Sequence, residues 1–130
     1  MMSFAAGTLA AVAAYIANRI IIARIGNKGM VTFIPIVEES LKSLAALVLG
    51  ASMINTHSVF GAIEAGYEIV GAKSISGVLG GLSSFAAHGV LGLVTFWVFR
   101  ISGNLLLGIG AAAVLHSLWN RLITRTYTRN

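Results

Sequence analysis

The sequence predicts an all-α polytopic membrane protein, a compact bundle of about five transmembrane helices forming a single domain over residues 1–130. Three observations lead there. Hydrophobic residues make up 57% of the chain and charged residues only 10%, whereas a soluble domain coats its surface with roughly a quarter charged residues. Mean hydropathy is +0.88. The apolar residues also gather into stretches close to the roughly 20 that a helix needs to cross the hydrocarbon layer. The same hydrophobicity excludes a disordered chain, and the absence of cysteine excludes a disulfide scaffold.

The first segment spans residues 4–22 and holds no acid and no histidine. It lacks a basic leader and its apolar stretch is too long, so it does not read as a cleavable signal peptide. Arg24, Gly26, Asn27 and Lys28 follow it as a loop. The second segment spans 30–54 and carries Glu38, Glu39 and Lys42. Asn55, Thr56 and His57 then form an outer loop, with His57 solvated. The third segment, 59–71, is short, carries Glu64 and Glu68, and ends near Lys73. A four-span alternative makes this segment re-entrant. The fourth, 75–99, carries His88, and the fifth, 105–123, carries His116 and Asn120.

The basic residues set the orientation. Arg19, Arg24 and Lys28 follow segment one, Lys73 follows segment three, and Arg121, Arg125 and Arg129 follow segment five. Five spans place all three groups in the cytoplasm, with the N-terminus outside and the C-terminus inside. In such a chain the basic excess reports topology, and no nucleic-acid partner is expected. Arg100, alone on the outer side, snorkels to the interface, and Trp97, Trp119 and Tyr127 belong to interfacial belts. Gly77 and Gly81, with Gly103, Gly108 and Gly110, let helices approach closely.

The polar residues inside the spans carry the functional signal. A charge at mid-bilayer costs a few kcal/mol even on insertion scales. Glu38 and Lys42 are four residues apart and Glu39 and Lys42 three, so the lysine can pair with either acid. Glu64 and Glu68, Ser84 and His88, and His116 and Asn120 each share a helix face at the four-residue interval. At 1.5 Å per residue, Glu38 and Glu39 lie roughly 12 Å from the cytoplasmic face, Glu64 and His116 roughly 10 Å, and His88 roughly 20 Å or less with tilt. Glu68 and Asn120 are shallower, at about 5 Å. Four segments thus contribute to one layer. Two histidines with carboxylates can hold zinc while a further glutamate takes a proton from water. Without metal, a glutamate activates water and the histidines stabilise the oxyanion. A proton relay is a third use.

The runs EESLK (Glu38 to Lys42), FGAIE (Phe60 to Glu64), a later His88 and HSLWN (His116 to Asn120) occur in that order. This pattern resembles the PrsW-type intramembrane proteases and the related CAAX prenyl endopeptidase and bacteriocin-processing superfamily. The resemblance covers about residues 35–120. It implies an intramembrane endopeptidase of membrane-associated protein or peptide substrates, multi-pass in a prokaryotic plasma membrane. By the same resemblance, Glu38 or Glu39 is the water-activating base and Asn120 the polar partner of His116. Glu64, His88 and His116 become metal ligands or oxyanion stabilisers, with Lys42 and Glu68 in support. The chain is shorter than typical members of that family, and Glu68 adds an acid to the second motif. Two other functions fit the same residues: a small proton-coupled transporter or channel subunit, and a catalytically silent membrane-binding relative of the protease.

Overall fold

A computed structural model of the chain describes residues 1–71 and 74–127. Five helices follow one another: α1 (Met2–Ile25), α2 (Asn27–Val48), α3 (Met53–Gly71), α4 (Ile75–Ser102) and α5 (Leu105–Tyr127). Three of them contain a stretch long and apolar enough to cross a membrane, at Met2–Ile25, Gly77–Ser102 and Leu105–Ile123. The acids and lysine of α2 and the two glutamates of α3 lower the hydropathy of the other two helices. Lys73 and Arg129 lie outside the described residues, as do the side chains of Arg125 and Tyr127.

The helix joints follow from local chemistry. Gly26, at φ 68°, is the single residue between α1 and α2. A left-handed conformation suits glycine, which has no Cβ to clash. Gly50, at φ 59°, ends α2. The Ala51 amide donates to the Ala46 carbonyl at 2.8 Å and the Gly50 amide to that of Leu47 at 3.2 Å, a Schellman closure. Ser52 then accepts from the Asn55 amide at 3.3 Å, the N-cap arrangement that starts a helix. Asn104 opens α5 in the same manner, accepting from the Leu106 amide at 2.9 Å.

The joint at Gly50 and Ser52 corrects the reading of the second and third segments. The second helix stops at Val48 rather than running to residue 54, and the third begins at Met53 rather than at 59. His57 is therefore in the second turn of α3 and fully buried, not solvated in an outer loop. At about 1.5 Å per residue, the 19 residues of α3 extend about 28 Å.

Burial is inverted relative to a soluble domain. The largest fully buried side chains are Lys42, His57, Glu38, Glu39, Thr56, Thr95, Pro35 and Ser43. Leu9, Leu79, Val114, Leu118 and many other large apolar residues are exposed. Such an exterior is unfavourable in water and favourable in lipid, where buried polar groups must satisfy one another. Small residues bring the helices together. A Cβ on Gly61 would lie 2.7 Å from the His88 Cβ, and one on Gly92 would lie 2.6 Å from that of His57. The α3–α4 contact therefore requires glycine on both sides of the histidines. Gly81 and Gly108 are similarly close to Ile69 and to the Thr95 carbonyl, whereas Gly110 faces open space.

A buried glutamate–histidine–lysine cluster

The inward stripe of α2 is polar through its middle, from Glu38 to Ser43. Ile34, Pro35, Glu38, Glu39, Lys42, Ser43 and Ala46 are buried, at the three-to-four-residue spacing of one helix face. Lys42 lies at the centre. Its Nζ is 2.5 Å from Glu39 Oε1 and 2.9 Å from His88 Nδ1, and 4.6 Å above the Phe60 ring. His88 Nε2 meets Glu64 Oε2 in a very short contact, and Ser84 donates to the same oxygen at 3.2 Å. As an ammonium, Lys42 only donates, so His88 Nδ1 accepts and Nε2–H faces Glu64.

Glu39 is surrounded. Besides Lys42, its Oε1 receives His116 Nδ1 at 2.9 Å, and its Oε2 lies 3.4 Å from His57 Nδ1. Ser43 Oγ is 3.4 Å from the other ring nitrogen of His57. The contact with Glu39 assigns the proton of His116 to Nδ1 and leaves a lone pair on Nε2.

That lone pair faces Glu38. His116 Nε2 is 3.8 Å from Glu38 Oε2, too far for a hydrogen bond, and Glu38 Oε2 has no hydrogen-bond partner although buried. The other carboxylate oxygen of Glu38 accepts from Asn18 Nδ2 at 2.6 Å. Two electron-pair donors thus face each other across a gap that a bridging group can fill.

Glu38, His88 and His116 each offer a ligand atom, all within 4.8 Å of one another. This buried trio can hold a metal ion. Its donor types suit zinc, and Glu39 behind His116 supplies the carboxylate–histidine support common at metal sites. Two fully buried carboxylates beside one ammonium also favour an added positive charge. Lys42 holds His88 Nδ1, so its ammonium would have to yield if that nitrogen took a metal.

The structure thus gathers Glu38, Glu39, Lys42, Glu64, His88 and His116. Glu64 meets His88 directly, and Glu38 takes its place in the converging trio. Glu64 is one-third exposed. Two expected members stand apart. Glu68 is exposed one turn beyond Glu64, and Asn120 donates to the Met30 carbonyl at 3.0 Å, tying α5 to the start of α2. Two residues join that the sequence reading did not select, His57 and Asn18. A signal for His57 was present in the Gly50–Ser52 stop-and-start pair. Asn18 lies four residues after Ala14 and eight after Ala10 on one helix face, but nothing in that apolar stripe signals an acceptor for its amide. Comparison with protein-family models, curated proteins and solved structures gives no match.

Proposed function

We propose that the protein is an intramembrane endopeptidase whose five helices all span a bilayer, N-terminus outside and C-terminus inside. The observation that carries this reading is the unpartnered Oε2 of Glu38, 3.8 Å from His116 Nε2 in a buried polar cluster. A water in that gap donates one hydrogen to Glu38 and the other to His116. Glu38 removes the first proton as the water oxygen attacks a scissile carbonyl, and returns it to the departing amine. Glu39 cannot do this as readily, because Lys42, His116 and His57 already surround it. It fixes the tautomer of His116 and balances Lys42. Were zinc held by Glu38, His88 and His116 instead, Glu38 would be a ligand rather than the base, and the ion would supply Lewis-acid polarisation of the carbonyl.

The test is cleavage of a detergent-solubilised single-span substrate by the purified protein. Glu38→Gln should lose cleavage by a factor of about 10²–10⁴, the usual contribution of a general base. Cleavage that survives Glu38→Gln and Glu39→Gln together rejects the assignment.

A second reading is a small proton-coupled transporter. It is favoured by the string of polar contacts from one-third-exposed Glu64 through His88, Lys42, Glu39 and His116 to Glu38. It predicts proton flux in proteoliposomes that requires Glu64, with no peptide cleavage. Absence of both activities would favour the silent membrane-binding relative.

A further inference from the structure

We infer that Asn18 on α1 is a positioning residue that aims the free oxygen of Glu38 at His116; this rests on the endopeptidase reading above. The inward stripe of α1 consists of Ala6, Gly7, Ala10 and Ala14, all buried. These residues have no chemistry beyond close packing, and a Cβ on Gly7 would lie 2.6 Å from that of Val59. Asn18 is four residues beyond Ala14 on the same stripe and carries the first amide to face the cluster.

Its Nδ2 donates to Glu38 Oε1 at 2.6 Å, a short bond of the kind that carboxylate acceptors make. The orientation of the amide is fixed by charge, because the reverse placement would set oxygen against oxygen. Glu38 has three rotatable side-chain bonds and is 2% exposed. Two other cations or rings come near it, His116 at 3.8 Å and, through Glu39, Lys42. Without Asn18, nothing in hydrogen-bond contact would hold Oε1, and the carboxylate would be free to turn toward His116 with either oxygen or toward Lys42. A donor on Oε1 leaves Oε2 alone to face the lone pair of His116. Bases and nucleophiles displaced by about 1 Å lose roughly a hundredfold in rate, so one amide on α1 sets the reactive geometry.

The experiment is a double-mutant cycle read two ways on the full-length purified protein. The variants are Asn18→Ala, Asn18→Leu, Glu38→Met and the pairs of these. The first readout is steady-state cleavage of the single-span substrate. The expected result is a fall in kcat of about ten- to a hundredfold for either Asn18 variant, with KM within about twofold. The second readout is the unfolding midpoint in mixed micelles, which needs no activity. Asn18→Ala should lower it in the wild type and leave it unchanged or raised in the Glu38→Met background, where the amide has lost its acceptor. A residue that merely packs would lower the midpoint equally in both. An additive cycle, or an unchanged kcat in an active protein, overturns the inference. If the wild type cleaves nothing, the endopeptidase reading fails, and the midpoint cycle still decides whether Asn18 holds Glu38.

Discussion

Replacing Lys42 by methionine tests whether the cluster is held together by its one buried cation. Lys42 is fully buried, 2.5 Å from Glu39 Oε1, 2.9 Å from His88 Nδ1 and over the Phe60 ring. Methionine keeps the length and the apolar stem and removes the charge. Glu39 then keeps its contacts with His116 and His57, but its charge loses the ammonium that balances it. Breaking a buried pair by removing one partner costs about 3–5 kcal/mol. The desolvated contact with Phe60 is included in that range. The folded-to-unfolded ratio should therefore fall by roughly two to nearly four orders of magnitude, at 1.4 kcal/mol per factor of ten. The assay is reversible unfolding in mixed micelles, followed by helical circular dichroism. The companion variant Lys42→Met/Glu39→Gln removes both charges. It should recover at least about 2 kcal/mol of the loss, because no unpaired charge stays buried. A loss under about 1 kcal/mol for Lys42→Met refutes the reasoning, and so does a double variant as unstable as the sum of the two single ones.

Gly61→Ala should cost about 1–3 kcal/mol, since its Cβ would lie 2.7 Å from that of His88. Gly66→Ala, with open space around it, should stay within about 1 kcal/mol of wild type in the same unfolding assay. Zinc content by mass spectrometry should fall from one equivalent toward none on His116→Ala and stay near one on Glu68→Gln, since Glu68 lies outside the trio. The native chain has no cysteine, so single cysteines report topology cleanly. Ser3→Cys, Ala51→Cys and Asn104→Cys should react with an impermeant maleimide added outside intact cells, and Asn27→Cys should not.

The number and order of the helices were legible because apolar stretches and Gly- or Asn-bearing breaks are local signals. The contact of Glu39 with Lys42 was legible from helical spacing, and so was the shared face of Ser84 and His88, though not that this face meets Glu64. His57 was not, because a run of Asn, Thr and His resembles a loop until the Schellman closure at Gly50 and the Ser52 cap are recognised as ending one helix and starting the next. Asn18 was not, because an amide in an apolar helix costs little and carries no charge pattern. Its role depends on how the turn at Gly26 folds α1 back against α2, which no spacing along one helix encodes. The different parts of Glu38 and Glu39 were also hidden. Adjacent acids look alike in sequence, and only the helices facing each of them separate Glu39, whose Oε1 is held by Lys42 and His116 and whose Oε2 lies beside His57, from Glu38, whose Oε1 is held by Asn18 and whose Oε2 faces His116.

The site is also the core. Among the described residues, the contiguous buried apolar cluster is Ala10, Ala14 and Phe60, and most of the large hydrophobic side chains lie outside, where lipid supplies no difference between packed and unpacked helices. Van der Waals contact at glycines and the Glu–His–Lys contacts must therefore hold the bundle. A substitution that abolishes function here is ambiguous, since it can equally abolish the fold. Glu38 and Glu39 resolve the ambiguity. In Glu38→Gln, the retained Oε1 still accepts from Asn18, and the new amide faces the lone pair of His116. That variant should keep stability within about 1 kcal/mol while losing cleavage. Glu39→Gln takes away the carboxylate in contact with the buried Lys42 ammonium and should cost about 3–5 kcal/mol. If the two variants lose stability equally, the cluster is a structural network throughout and Glu38 has no separate role; if Glu38→Gln alone keeps its fold and loses function, the free oxygen is what the bundle is built to present.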